Sequence, residues 1–495
     1  MKEYDQMNKQ QFIKTTAMAS LLMAMTTILF AEEGSPEKPN VVLILADDLG
    51  YADLSCYGSK EIRTPHLDKM AAEGMKFTDF YAAACVCTPT RAALLTGCYP
   101  KRVGLHNAVL GPRTKSGLNP NEITLAELLK AQGYATTCIG KWHLGEQKAV
   151  LPLAHGFDSY FGMPGPNHGA SDLYRNNELI AEKKNVDKNQ LTVRYTEEAV
   201  KFIREQKDKP FFLYLPHSAP HYPLYASKEF RGTSKQGLRG DMIEEIDWSC
   251  GEILKTIKEL GLDENTLVIF TSDNGQAGVA AQPLHGGKGS SWEAGFRVPF
   301  VARWPKRIPA GAVCEEFATI MDMLPTIAPL AGAVATTDRK IDGKDIWPLL
   351  SGKPDARSEY DAFFYYVRDS QLSAVRQGKW KLHLRVPSER WAGKLPKEAL
   401  LDTKPSTSLP WLYDLNEDIS ETKNVAEDNP EVVESLTKLA KEFDRKLSKE
   451  IRPAYDANAR GGLSLRQRGW KAKIGSLRLE KDGETLYAKS YFELR

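Results

Sequence analysis

Six side chains in this sequence suit bond-breaking chemistry, namely Cys87, Arg91, Lys141, His143, His221 and Lys288. Four more suit a metal ion: Asp47, Asp48, Asp273 and Asn274. Cys87 opens the run Cys87-Thr88-Pro89-Thr90-Arg91-Ala92-Ala93-Leu94-Leu95-Thr96-Gly97. Pro89 and the apolar stretch Ala92 to Leu95 predict the first turns of a helix with Cys87 near its N-cap. An anion held there would face free backbone N–H groups. The pairs Asp47-Asp48 and Asp273-Asn274 offer hard oxygen ligands of the type expected for calcium or magnesium, with three formal negative charges. Taken singly such dipeptides are ordinary turn formers; their joint occurrence carries the reading. Arg91, Lys141 and Lys288 are cations that suit an anion, and His143 and His221 titrate near neutral pH and can move protons. His217, four residues before His221, reads as a packed histidine.

Those residues act together only if the chain brings them to one place. Short apolar runs rich in β-branched or aromatic residues predict buried parallel strands over 40–46, 77–81, 134–139, 211–215 and 266–271. Helices are expected over 65–73 after a Thr64 cap, 124–132 with a Thr124/Glu127 capping box, 195–206 and 243–260. The alternation implies an α/β fold, a large mostly parallel sheet sandwiched by helices. Ligands in such sheets lie beyond the carboxyl ends of the strands. The first strand runs into Asp47-Asp48, the next ones into Lys141-Trp142-His143 and His217-Ser218-Ala219-Pro220-His221, and the last into Asp273-Asn274-Gly275. Beyond Gly332 the pattern changes, and a smaller C-terminal antiparallel α+β subdomain is expected. Its strands lie near 363–367, 374–376, 379–384 and 412–415, with a helix from 430 to 448.

The run from Cys87 to Gly97 resembles the sulfatase signature, and four further stretches match at once: 40–51, 140–145, 272–275 and 285–293. The resemblance covers roughly residues 38–450. It is nearest the arylsulfatase A and N-acetylgalactosamine-6-sulfatase group, supported by 211–230 and by Asp322-Met323-Leu324-Pro325-Thr326. It implies an alkaline phosphatase-like fold and a sulfuric ester hydrolase in which Cys87 is oxidised to formylglycine by a formylglycine-generating enzyme. The hydrated aldehyde then attacks the sulfate ester, a form of covalent nucleophilic catalysis. It also implies one calcium ion held by Asp47, Asp48, Asp273 and Asn274 and completed by residue 87. Arg91 would steady the hydrate, Lys141 would touch hydrate and sulfate, and Lys288 would bind a sulfate oxygen or the leaving oxygen. His143 would deprotonate the remaining hydroxyl, and His221 would protonate the leaving alcohol. Asn167, beside His168, sits roughly where relatives place a polar substrate contact. The expected substrates are sulfated carbohydrates or aryl sulfates. A formylglycine-dependent phosphonate or phosphate ester hydrolase is the alternative of like chemistry, and an inactive sugar-binding relative the alternative of another class.

The 495 residues suffice for one large domain plus a smaller one, and the formal net charge of +2 gives no field for nucleic acid. Lys14 followed by an apolar stretch to Ala31 reads as a secretory signal peptide over residues 1–31, hence an exported, periplasmic or secreted protein. No other segment is apolar and long enough to span a bilayer. The expected division is a catalytic domain over 32–355, a C-terminal subdomain over 356–450, and a tail over 451–495 with a hairpin around Asp482-Gly483. Seven cysteines are an odd count for an exported chain; conversion of Cys87 leaves six, whose pairing stays open.

Overall fold

All seven residues of strand β1 (Asn40–Ala46) are buried, which requires cover on both faces of the sheet. In the computed structural model the described residues are 38–106, 110–112, 114–167, 172–277, 283–334, 338–367, 371–387 and 409–458, with the backbone of 471–472, 478–481 and 484–487. The expected signal peptide and His168 lie outside them. Side chains of β1 alternate between two apolar cores, as a two-residue period demands. Val41, Leu43 and Leu45 enter one core, and Val42, Ile44 and Ala46 the other.

The main sheet comprises β1, β2 (Met75–Phe77), β3 (Ala135–Lys141), β4 (Ser159–Met163), β5 (Leu173–Arg175), β6 (Glu178–Ala181), β7 (Phe211–Pro216), β8 (Thr266–Ser272), β9 (Phe300–Arg303) and β10 (Ala312–Cys314). Their spatial order is β10-β2-β9-β8-β1-β7-β3-β4-β5-β6. The five central strands β8, β1, β7, β3 and β4 run parallel. Helices α1 (Pro65–Ala72), α4 (Leu191–Glu205) and α5 (Gly237–Glu259) bury Leu67, Tyr195, Ile246 and their neighbours in one core. Helices α2 (Cys87–Thr96), α3 (Leu125–Ala131) and α6 (Met323–Leu330) bury Leu94, Leu129 and Ile327 in the other. The predicted capping box is present on α3: Glu127 N–H donates to Thr124 Oγ1 at 3.3 Å, and Thr124 N–H to Glu127 Oε2 at 2.8 Å.

One expected strand is corrected. The run 77–81 is not one strand but two short pieces, β2 and Phe80–Tyr81; β2 pairs antiparallel with β9 and parallel with β10, and Phe80–Tyr81 pairs parallel with Ala318–Thr319. The break falls where polar partners capture the backbone. The Thr78 carbonyl accepts from Tyr51 Oη and Arg297, and next to it the Asp79 side-chain carboxylate accepts from the two terminal guanidine nitrogens of Arg376 at 2.7 Å each. β4, a central strand, was missed in the sequence because Ser159-Tyr-Phe-Gly-Met163 is short and carries a glycine.

Strands β11 (Phe363–Val367), β12 (Gln371–Gln377), β13 (Trp380–His383) and β14 (Trp411–Asp414) form an antiparallel sheet in sequence order, flanked by α7 (Pro430–Lys449). Phe363, Val375, Leu382 and Leu436 join the same core as α2 and α6, so the smaller sheet shares the large domain's interior. In the tail, backbone strands Arg478–Lys481 and Glu484–Tyr487 pair antiparallel. Among the described residues no helix is long and apolar enough to cross a membrane.

Candidate active site

Strand register does most of the assembly. β1 and β8 pair in parallel with Ala46 beside Ser272, so the residues that follow each strand, Asp47-Asp48 and Asp273-Asn274, emerge side by side. Asp48 takes the left-handed conformation (φ 67°), which aspartate tolerates better than most residues. Its N–H donates to Asp273 Oδ1 at 3.2 Å, and the Asn274 amide donates to Asp48 Oδ1 at 2.8 Å. All four side chains are buried.

Cys87 is the first residue of α2 and fully buried, with Sγ 3.9 Å from Asp48 Oδ1 and 3.4 Å from Lys288 Nζ. Burial pushes the thiol's pKa up, despite Lys141 and Lys288 nearby, so it stays protonated. Arg91 lies one helical turn on, on the same face. Its Nε and one terminal nitrogen donate to Asp273 Oδ2 at 3.0 and 2.8 Å, its other terminal nitrogen donates to the Lys141 carbonyl at 2.7 Å, and Asp47 Oδ1 lies at 3.4 Å.

Lys141 ends β3, and its Nζ donates to Asp47 Oδ2 at 2.5 Å. Gly140 before it has φ 130°, and a Cβ there would stand 1.9 Å from the Pro216 carbonyl oxygen; only glycine lets β3 approach β7 this closely. Lys288 reaches in from a glycine-rich loop, its Nζ donating to both Asp48 oxygens at 2.6 and 2.8 Å. Burial alone would raise the Asp47 carboxyl's pKa, but Lys141, His221, Arg91 and Lys288 outweigh it and hold it well below the usual range. Within the site, the carboxyls of Asp47, Asp48 and Asp273 pair with Lys141, Lys288 and Arg91, while burial first and then Asp47 raise the Asp273 pKa to about 7.

The two histidines differ. His221 Nδ1 donates to the Tyr222 carbonyl at 2.5 Å, which turns Nε2 toward Asp48 Oδ2, 3.6 Å away. Burial lowers its pKa to about 4 against the opposing pull of Asp48 and Asp47. His143, in the left-handed region at φ 57°, donates from Nε2 to the Leu110 carbonyl at 2.9 Å. Its Nδ1 is buried with no hydrogen-bond partner, a lone pair available to accept a proton. Burial first, then Lys141 and Arg91, hold this ring well below its ordinary pKa and therefore neutral.

The structure thus gathers Asp47, Asp48, Cys87, Arg91, Lys141, His143, His221, Asp273, Asn274 and Lys288 at the carboxyl ends of the central strands. His221 stands nearer the acidic pair than its sequence suggested: one ligand-type atom each of Asp47, Asp48, Cys87 and His221 lie within 4.8 Å of one another. Asn167 packs against the turn that carries His221. It is fully buried, and its amide donates to the Ser218 and His221 carbonyls at 3.0 Å each. His217 is buried beside Ser249 and Tyr195, away from the anionic group. Arg239 was missed in the sequence: it forms an ion pair with Asp53 and donates to the Asp48 carbonyl at 3.2 Å. A single arginine on an amphipathic helix carries no signal that separates it from a solvated one. All seven cysteines are unpaired thiols.

The donor set fits a hard divalent cation. Asn274 Oδ1 is a buried acceptor without a hydrogen-bond partner and Asp47 Oδ1 has only the Arg91 guanidinium at 3.4 Å, and buried oxygen acceptors left so are costly unless a cation or water meets them.

Comparison with known proteins agrees with this geometry. The Sulfatase family model matches residues 39–333, and the model of the C-terminal region of aryl-sulfatase matches residues 358–467. N-acetylgalactosamine-6-sulfatase of Mus musculus is 40% identical, over 76% of this chain and 78% of that protein. Steryl-sulfatase of the same organism is 37% identical, over 72% and 73%. The crystal structure of Ps i-CgsB in complex with k-i-k-neocarrahexaose superposes with a TM-score of 0.72 at 30% identity, covering 82% of this chain and 93% of that one. The cysteine, the cations and the acidic strand ends all lie inside the matched span, and the chain belongs to the sulfatase family.

Proposed function

We propose that this sulfatase removes sulfate from a sulfated carbohydrate, using residue 87 as formylglycine and one calcium ion. The observation that carries the reading is the convergence on Cys87 of three buried cations and three buried carboxylates beneath a histidine. The relatives support the substrate class: N-acetylgalactosamine-6-sulfatase among sequences, and a neocarrahexaose complex among structures. Asp47, Asp48, Asp273 and Asn274, with residue 87, would hold the calcium, which when bound supplies positive charge opposite the ester's oxygens. Formylglycine, when formed from Cys87, supplies the nucleophilic oxygen that a protonated, buried thiol does not.

The chain's own residues do the rest. Arg91 fixes the orientation at position 87 while its bonds to Asp273 fix Arg91 itself. Lys141 and Lys288 clamp the anionic group; removing one such preorganised donor typically costs about 3 to 4 kcal/mol of barrier lowering. His143 accepts a proton at Nδ1. His221 delivers one to the leaving oxygen from Nε2, which requires a protonated ring, and the negative charge of an arriving ester pulls its pKa in that direction. Cys87 is fully buried in the folded chain, so the maturation enzyme must reach it before folding is complete. Export directed by the 1–31 segment fits this maturation.

Two measurements on matured protein test the reading. Mass spectrometry of the residue 87 peptide should find the aldehyde, and release of sulfate should exceed release of phosphate from matched sugar esters. Fully active enzyme with an intact thiol, or faster turnover of the phosphate ester, overturns it. Chelation should lower both activity and the melting temperature, since a cation that binds only the folded state stabilises it. Stoichiometric zinc with insensitivity to calcium removal contradicts the metal assignment.

A further inference from the structure

The loop that carries Lys288 is held at both ends by the C-terminal sheet and the segment that follows it. At its start the Pro283 carbonyl accepts from Ser420 Oγ at 2.5 Å. At its end the Glu293 N–H donates to Glu421 Oε2 at 2.6 Å, and Ser291 Oγ lies 3.3 Å from His383 Nδ1. Lys381 Nζ, on β13, sits between Glu293 Oε1 at 2.8 Å and Glu421 Oε1 at 2.9 Å. His383 Nε2 lies 2.8 Å from the same Glu421 oxygen. A carboxylate can only accept, so Nε2 carries the hydrogen, Nδ1 is the acceptor, and the Ser291 hydroxyl donates to it. Burial holds the His383 ring below its ordinary pKa, in keeping with this neutral form. The Trp292 ring stacks between His285 (4.3 Å, 11°) and Trp411 of β14 (6.0 Å, 11°).

Between these anchors the loop touches the reacting region. The Gly289 N–H donates to the Cys85 carbonyl at 2.8 Å, the Lys288 N–H to the Gln276 carbonyl at 2.9 Å, and Lys288 Nζ to Asp48 and Cys87. Ser291, Glu293, Lys381 and His383 are fully buried, and Glu421 nearly so. A buried charged cluster of this kind contributes little net stability compared with apolar packing. Its value lies in accepting one arrangement. Glu421 holds a left-handed backbone (φ 53°), a conformation that a non-glycine residue keeps only where its surroundings fix it.

We propose that Glu421, His383 and Lys381 are positioning residues for Lys288: the C-terminal sheet sets where the Lys288 ammonium stands by clamping loop 283–293. The proposal rests on the assignment of Lys288 to the sulfate or leaving oxygen. The experiment uses the matured full chain and an aryl sulfate. Glu421→Gln should lower kcat/KM roughly 10- to 100-fold, the scale expected when a catalytic group moves by about 1 Å. In a Lys288→Ala background the same change should cost less than about 3-fold, since residues acting through one group are not additive. Equal loss in both backgrounds, or no loss in the parent, overturns it. Tyr366→Phe, which cuts the Asp444 bond elsewhere on the same sheet, should lower the melting temperature and leave kcat/KM unchanged. Should Glu421→Gln fail to fold, Ser291→Ala combined with Ser420→Ala removes one anchor at each end and must show the same dependence on Lys288. Amide hydrogen exchange across 285–292 should quicken in the anchor variants and not in Tyr366→Phe, with or without turnover of any ester. Unchanged exchange refutes the clamp. Absence of sulfatase activity with quickened exchange refutes the proposed function, and with it the role of Lys288, but not the clamp.

Discussion

At the scale of single residues, the two histidines can be separated by what each ring nitrogen faces. His221 presents Nε2 toward Asp48 and the reacting region, and Asn167 fixes the carbonyl behind it. If His221 protonates the leaving oxygen, His221→Ala should slow sugar sulfates by about 10² to 10⁴, the usual worth of a general acid. Activated aryl sulfates, whose leaving groups depart as anions, should lose far less; comparing kcat on the two classes checks the role, and equal losses refute it. Asn167→Ala should lower kcat with little change in KM, because its amide bonds run to the Ser218 and His221 carbonyls. A rise in KM alone would instead mark Asn167 as a direct substrate contact. The candidate residues were readable because cysteine, paired acids and histidines at strand ends are chemically specific types. Which oxygen of Asp48 meets Asn274 and which meets His221, or which nitrogen of His143 stays open, depends on rotamers that no sequence encodes locally.

At the scale of elements, the close approach of β3 to β7 is the most exposed to test. Gly140→Ala places a methyl 1.9 Å from the Pro216 carbonyl oxygen at a φ that alanine resists. It should destabilise the protein by about 2 kcal/mol or more and displace Lys141 next to it, so activity should fall beyond what the loss of folded protein explains. Denaturant midpoints together with kcat per folded molecule would check this, and an unaffected kcat would disconnect Gly140 from the site. Four of the five central strands were legible because a strand buried on both faces reads as a nearly unbroken apolar run; β4, with Ser159 and Gly162 in five residues, was not. The strand next to the edge was not: Phe77-Thr78-Asp79-Phe80-Tyr81 carries two polar residues in its middle, and Arg297 and Arg376, both more than two hundred residues away in sequence, engage it at Thr78 and Asp79.

At the scale of the whole molecule, burial leaves some carboxyls outside the site without compensation. Glu245 on α5 accepts from the Ser227 N–H at 3.3 Å, its other oxygen has no partner, and burial raises its pKa from an ordinary 4.5 to about 7. Between those values the folded chain keeps a proton that the unfolded chain releases. Stability therefore falls as pH rises through this window, by at most about 3 kcal/mol. Glu245→Gln should flatten the pH dependence of the melting temperature between pH 5 and 8 and raise it at the upper end. An unchanged slope would show that the folded-state pKa is not raised. On the proposed conversion of Cys87, burial has a second consequence: incubating folded, unconverted protein with a formylglycine-generating enzyme should leave Cys87 a thiol, whereas the unfolded chain should be converted.

The sequence by itself determined the chemistry of the parts and the order of the central strands' contents. Residue type, helix capping and apolar periodicity are local properties, and they singled out the cysteine, the cations, the acids and the two histidines before any coordinates. Only the tertiary structure decided that β1 and β8 pair with Ala46 beside Ser272, which fuses two distant dipeptides into one oxygen cluster. It alone brought Arg239 to the Asp48 carbonyl and Glu421 to the Lys288 loop. Those contacts join residues 128 to 191 positions apart. Their energies depend on register and on burial from all sides, so nothing in the neighbouring sequence distinguishes such a residue from a solvated surface charge.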